Sequence, residues 1–258
     1  MKMSFEMTSL GDDWQGQITL RTTDDEGLTA IDTAEIIINN IAPSAEAGAN
    51  QEVFAGDVVQ FNASFTDPGW LDTHTIKWDM GDETILTDYQ LNPSYVYYNQ
   101  GTYLVTLTVT DDDGGVGIDT LEITVKPIPA AVNCDPDALN LKSKGKWITC
   151  YIELPSGYDV RQIDGSKISL NGIPAYLGKE GWAKAEANES NIIDSDKDQI
   201  LERMVKFDRQ SIQEILQAGE ANLIIAGKLF YNQGWADFEG IDKIKITKLI
   251  KLKPKLAT

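Results

Sequence analysis

Gly101-Thr102-Tyr103-Leu104-Val105-Thr106-Leu107-Thr108-Val109-Thr110-Asp111 decides how the rest of the chain is read. Tyr103, Val105, Leu107 and Val109 fall on one face and Thr106, Thr108 and Thr110 on the other. That is the two-residue period of a half-buried strand, in residues that suit a pleated surface. Asp111-Asp112-Asp113-Gly114-Gly115 follows, a run tolerant of positive φ, so the spacing predicts a hairpin turn into a second strand over Ile118–Val125. Working outward, Val58–Phe65, Thr75–Asp79 and Ile85–Asp88 read as further strands. Short strands broken by frequent turns predict an all-β, antiparallel sandwich.

The same stretch occurs twice. Residues 18–36, ITLRTTDDEGLTAIDTAEI, align with residues 105–123, VTLTVTDDDGGVGIDTLEI, at an offset of 87, and 11 of 19 positions are identical. Thr19/Thr106, Leu20/Leu107, Asp24/Asp111, Gly27/Gly114, Asp32/Asp119 and Ile36/Ile123 are among them. A period of this length means tandem modules rather than a short solenoid repeat. Residues 1–42 supply only the last strands of the first copy, so they are expected to form an incomplete module. Their apolar face is then left to pair with the complete module, to swap between chains or to stay unordered.

The 258 residues carry 22 Lys and Arg against 40 Asp and Glu, a net charge of −18. All of it lies in residues 1–126, where Lys2, Arg21, Lys77 and Lys126 face 22 acidic residues; residues 127–258 balance at 18 of each. That shift marks a boundary, and Lys126-Pro127-Ile128-Pro129-Ala130-Ala131 at the changeover reads as a stiff extended linker over 127–131. Such acidity argues against nucleic acid as a partner, because phosphates are repelled. It suits a protein kept soluble in a salty or calcium-containing medium, or a solvated surface with no specific ligand. No apolar run is long enough for a transmembrane helix, which excludes that mode of membrane insertion. Met1–Leu10 lacks the basic patch and apolar core of a signal peptide.

Three blocks of residues 43–126 resemble the PKD (polycystic kidney disease) domain. They are Trp78-Asp79-Met80-Gly81-Asp82, Pro93-Ser94-Tyr95 and the Gly101–Asp111 strand, in family order. Met80 stands where the family has an aromatic residue, and Glu83 where it has a glycine. The resemblance implies an immunoglobulin-like sandwich with Trp78 in the core between its sheets, and spacer, adhesion or protein–protein contact roles. Asp111–Asp113 with Asp67 or Asp72 could make a calcium site, as some family members bind calcium; a plain turn is the preferred reading.

Residues 132–250 form a second sandwich-like segment, followed by a tail at 251–258. Trp147–Leu154, Ile168–Leu170, Met204–Phe207, Asn222–Ala226 and Ile241–Ile246 read as strands. One short helix is expected between Asp208 as N-cap and Gly219 just past its end, with Ile212, Ile215 and Leu216 buried. Lys243, Lys245, Lys248, Lys251, Lys253 and Lys255 make the end basic, first as a strand alternating with Ile244 and Ile246, then as a frayed terminus. The segment resembles, more loosely, a domain found at the ends of secreted bacterial and archaeal surface proteins, in which an Asp-rich block precedes a strand.

That block carries the strongest chemical signal. Asp194, Asp196 and Asp198 occupy positions 1, 3 and 5 of a loop, with the Ile200 carbonyl at 7 and Glu202 at 9. Alternate spacing turns carboxylates toward one centre, and hard oxygen ligands in this number suit Ca²⁺. Gln199 at position 6 and Val205 at position 12 rule out an EF-hand, and Gln199 also stands where a tight turn favours glycine. The competing reading is a solvated acidic loop. Cys134 and Cys150 flank 15 residues on what read as neighbouring antiparallel strands; a disulfide or two buried thiols both fit.

Catalysis finds little support. His74, the single histidine, has no serine or cysteine partner near it in an Asp-rich loop, and no glycine-rich phosphate loop precedes a helix. Paired carboxylates say nothing in so acidic a chain. The residues therefore point to a non-enzymatic, calcium-stabilised module of a secreted or cell-surface multidomain protein, partnered by its own neighbouring domains or a surface protein. The alternative is an accessory polysaccharide- or substrate-binding module of a secreted hydrolase. Trp70, Trp182 and Trp235, each beside a glycine, are candidates to stack on sugar rings.

Overall fold

The structure is a computed structural model and describes residues 14–88, 90–177 and 191–248. Its strands are β1 (Gln15–Thr23), β2 (Thr29–Ile37), β3 (Ser44–Glu46), β4 (Gln51–Phe54), β5 (Val58–Gln60), β6 (Ser64–Thr66), β7 (His74–Asp79), β8 (Ile85–Thr87), β9 (Ser94–Val96), β10 (Gly101–Asp111) and β11 (Val116–Lys126). They continue as β12 (Ile128–Asp135), β13 (Ala138–Asn140), β14 (Trp147–Glu153), β15 (Ser169–Leu170), β16 (Ile173–Pro174), β17 (Ile192–Ile193) and β18 (Glu202–Asp208). Helix α1 (Arg209–Ile215) leads into β19 (Gly219–Tyr231) and β20 (Gly234–Thr247). The fold class is all-β, with α1 the one α-helix among the described residues.

Two compact units result. One comprises Met1–Gln51, Val59–Tyr95 and Thr102–Thr124; the other Glu52–Val58, Val96–Gly101 and Val125–Thr258. In the first, the central sheet runs β11-β10-β7-β8, with β3–β6 and β5–β9 as separate pairs. The alternation of β10 is realised as written, with Val105, Leu107 and Val109 buried and the threonines half-buried. Trp78 is fully buried, opposite Leu107 in the β7–β10 register and 4.9 Å from the ring of Phe61. Met80, in the place of an aromatic residue, is fully buried as well. Its flexible thioether side chain can fill an irregular core gap.

The turn after Trp78-Asp79-Met80 needs Gly81: its φ is 75°, and a Cβ there would sit 2.6 Å from the Leu104 carbonyl oxygen. Glu83 holds a φ of 74°, so the left-handed turn survives without the family's glycine. Asp82 and Thr84 are joined to the Pro93-Ser94-Tyr95 block, since the Tyr95 hydroxyl lies 2.8 Å from Asp82 Oδ2 and 2.9 Å from Thr84 Oγ1. Burial pushes the Tyr95 phenol up. Val58–Phe65, expected as one strand, is two. The Phe61 amide donates to the Pro93 carbonyl and the Ala63 amide to Asn92 Oδ1, so the backbone between β5 and β6 bonds to a turn rather than to a ladder.

In the second unit the sheet order is β16-β15-β19-β20-β12-β14-β18-β17, with β13 beside β20. The proline-containing segment expected as a linker is the start of β12, parallel to β20 with Ile128 opposite Phe238 and buried. Gly240 permits that pairing, because a Cβ there would lie 2.4 Å from the Ala130 carbonyl oxygen. β19 and β20 run well past the expected strands as one long hairpin. Helix α1 is capped by Asp208, whose Oδ1 accepts from the Ser211 amide at 2.9 Å. It ends at Ile215 rather than running on to Gly219, and a helix of seven residues turns only Ile212 inward. Ile215, expected in the buried stripe, is 47% exposed.

Candidate metal centre

The Asp-rich block is the loop of the β17–β18 hairpin, whose register pairs Ile193 with Glu202. Asp194, Asp196 and Asp198 each bring a carboxylate oxygen within 4.8 Å of the others. The loop is held in that shape by its own backbone. Asp196 Oδ1 accepts from the Asp198 amide (3.2 Å), Asp194 Oδ2 from the Gln199 amide (3.2 Å) and Asp198 Oδ1 from the Ile200 amide (2.8 Å). Lys197 and Gln199 take φ of 67° and 77°, so Gln199 adopts the left-handed conformation normally given to glycine. Such a conformation costs a non-glycine residue about 1–2 kcal/mol.

Asp194 Oδ1 is buried and has no hydrogen-bond partner among the described residues. A desolvated carboxylate oxygen left unmatched is costly, and a cation would match it. Three hard oxygen donors on one turn fit Ca²⁺ in ligand type. One of the expected ligands stands differently. Glu202 lies in the ladder as the first residue of β18, where it is buried and accepts from the Ser195 amide (2.6 Å) and hydroxyl (2.9 Å). It therefore ties down the base of the loop, outside the group of converging oxygens. Ile200 is half exposed and its amide is used by Asp198.

The sequence offered no signal for Glu153. It sits at the end of β14, far from the block in the chain, yet lines a cavity of about 140 Å³ with Tyr151, Asn133, Asp196 and Glu202. Burial pushes the Glu153 carboxyl up, and the negative charges of Asp198, Asp196 and Glu202 add to the shift. Arg203, next to Glu202 in β18, is fully buried and donates to Asn191 Oδ1 at 3.2 Å. Burial lowers its pKa.

Cys134 and Cys150 are directly opposite in the β12–β14 register and form a disulfide, both fully buried. Trp235, the second residue of β20, is 45% exposed, with its ring edge-on to Phe230 at 5.4 Å. Trp70 is 63% exposed, and Trp182 lies outside the described residues, as does the tail 251–258. His74 Nε2 is 2.7 Å from Asp67 Oδ2 and its ring packs on Phe65. The hydrogen bond from His74 leads the causes that hold the Asp67 carboxyl below the ordinary range. The carboxylates of Asp67, Asp72 and Asp111 come within 4.8 Å of one another, as do those of Asp72, Asp112 and Asp113. Asp111 there accepts from the Asn40 side chain and from the amides of Asp113 and Gly115. The two amide bonds are the ones a turn needs.

Residues 40–125 match the family model of the PKD domain. Over 95 residues the chain is 30% identical to a microbial collagenase of Vibrio alginolyticus, which is 36% of this chain but 11% of that protein. The PKD1 domain of Vibrio anguillarum Epp is 28% identical, covering 34% of this chain and 98% of that domain at a TM-score of 0.28. A structure of carbohydrate-binding modules of the β-sandwich superfamily is 16% identical, covering 78% of this chain and 84% of that one at a TM-score of 0.33. No helix among the described residues is long and apolar enough to cross a membrane.

Proposed function

With residues 40–125 forming a PKD domain, we propose that the chain is a non-catalytic β-sandwich segment of a larger secreted or cell-surface protein, stabilised by calcium in its second unit. It acts there as a spacer and contact module, in adhesion or in holding neighbouring domains. The observation that carries the calcium reading is the convergence of Asp194, Asp196 and Asp198 with a buried, unmatched Asp194 Oδ1. In this reading the three carboxylates and the Ile200 carbonyl hold the ion, which supplies the positive charge the loop lacks. Glu202 keeps the loop anchored through Ser195, and Glu153 adds a further carboxyl to the surrounding field. The test is thermal unfolding with calcium and with chelator, on the native chain and on Asp196→Ala. A ligand that binds only the folded state at a hundred times its Kd adds about 2.7 kcal/mol. A calcium-dependent rise lost in Asp196→Ala supports the site; no shift in either protein removes it.

The collagenase relative and the exposed Trp235–Phe230 pair favour a second reading, an accessory module that holds substrate for a secreted hydrolase. An edge-on aromatic pair on a hairpin offers an apolar ring face to a sugar or a proline-rich chain. Retention on polysaccharide and collagen panels, lost in Trp235→Ala, supports it. Equal retention of the two proteins removes it.

A further inference from the structure

Glu153 also lines a second and larger cavity, of about 520 Å³, bounded by the segment 154–161 that follows β14 and by residues 199–201 of the acidic loop. All of these residues belong to the second unit. The volume lies in the range of about 300–1,000 Å³ that small-ligand sites occupy. Leu154 and Val160 give the groove a buried apolar lining, while Ile200 and Leu201 add apolar surface that is exposed. Tyr158 is half-buried, with its ring 4.7 Å from that of Tyr231.

Three charged side chains line the groove: Glu153, Asp159 and Arg161. Two of them answer each other, since Asp159 Oδ1 accepts from the Arg161 amide at 2.9 Å and lies 3.4 Å from its guanidinium. Glu153 is left over. Its carboxylate is half-buried and meets no cation and no hydrogen-bond donor among the described residues. The negative charges of Asp198, Asp196 and Glu202 bear on it instead. A desolvated carboxylate in negative surroundings is best matched by a positive charge brought to it. Gln199 points the same way. It holds a φ of 77°, and strain of this kind persists where the side chain is put to use. As a lining residue its carboxamide offers both a donor and an acceptor, which is what the backbone of an extended peptide requires.

We propose that this groove binds a peptide segment of another protein through a lysine or arginine flanked by aliphatic residues. Such a side chain has an apolar stem and a charged head, so the stem covers Ile200, Leu201 and Tyr158 while the head reaches Glu153. Gln199 bonds the peptide backbone. A neutral sugar would leave Glu153 unmatched. The groove is separate from the Trp235–Phe230 pair, and it uses the acidic loop as a wall whether or not the loop holds calcium.

The probe is the pentapeptide Gly-Leu-Lys-Leu-Gly, capped at both ends and titrated into the whole chain, once in calcium and once in chelator, with amide chemical shifts as the readout. The expected result, in at least one buffer, is saturable shifts centred on residues 153–161 and 199–201. Binding is expected to weaken about tenfold or more in Glu153→Gln and in Ile200→Ser. Gly-Ser-Lys-Ser-Gly on the native chain is expected to lose as much, which tests the groove without any variant. Glu220→Gln removes a carboxylate outside the groove and is expected to bind as the native chain does. Equal affinity of the native chain and Glu153→Gln overturns the proposal, since the overall acidity would then attract the peptide. Absence of shifts in both buffers overturns it as well. So do shifts of the same amides by cellohexaose and not by the peptide, which would make a sugar the occupant.

Discussion

At the residue scale, two side chains stand in the left-handed region where the related patterns call for glycine, Glu83 at φ 74° and Gln199 at φ 77°. Releasing such strain gains about 1–2 kcal/mol, against about 0.5–1 kcal/mol of extra backbone entropy lost by glycine. Glu83→Gly and Gln199→Gly are each expected to raise stability by up to about 1 kcal/mol, read from denaturant midpoints. Gln199→Gly is further expected to tighten calcium binding, by making the loop's bound shape its resting one. Trp78 makes the opposite case. It is fully buried against Phe61, and its indole N–H has no partner among the described residues, so its side chain is held by packing. Trp78→Ala is expected to cost about 3–5 kcal/mol in equilibrium unfolding.

At the scale of elements, the α1 cap and the β12–β14 bridge each lend themselves to measurement. The Ser211 amide and hydroxyl hold the Asp208 carboxyl below the ordinary range. The stabilisation this brings is fully present above the unfolded-state pKa and is lost as pH falls through the lower folded-state value. Asp208→Asn keeps the acceptor and is expected to flatten the acid limb of the stability profile. Asp208→Ala loses the cap as well, at a cost of about 1 kcal/mol at neutral pH. The Cys134–Cys150 bridge closes a loop with a sequence separation of 16. Replacing both cysteines with serine is expected to cost about 3 kcal/mol, visible as a lower unfolding midpoint under non-reducing conditions.

At the scale of the whole molecule, each unit has its own core, one built round Trp78, Leu107 and Ile123, the other round Ile148, Phe207, Ile225 and Phe238. Calorimetry is expected to resolve two transitions, because separate cores need not melt together. In the proposed reading calcium raises only the transition of the second unit. A shift of both by the same amount would count against a site confined to the Asp194 loop.

The chain's local chemistry was enough for the period-two strands around Trp78 and Leu107, the turn at Asp111–Gly115, the Asp208 cap and the alternate spacing of Asp194, Asp196 and Asp198. These depend on neighbours a few residues apart, whose side-chain direction and backbone φ are set by residue type. Tertiary structure alone decided the rest. It drew the proline segment into β12 against β20, moved Glu202 from the expected ligand ring to Ser195, and brought Glu153 of β14 to the acidic loop. It also buried Val105 and Leu107 fully while leaving the matching Ile18 and Leu20 only half-buried. The physical reason is the same in each case: burial and pairing depend on which distant strand arrives alongside, and two copies of one local sequence carry no record of that.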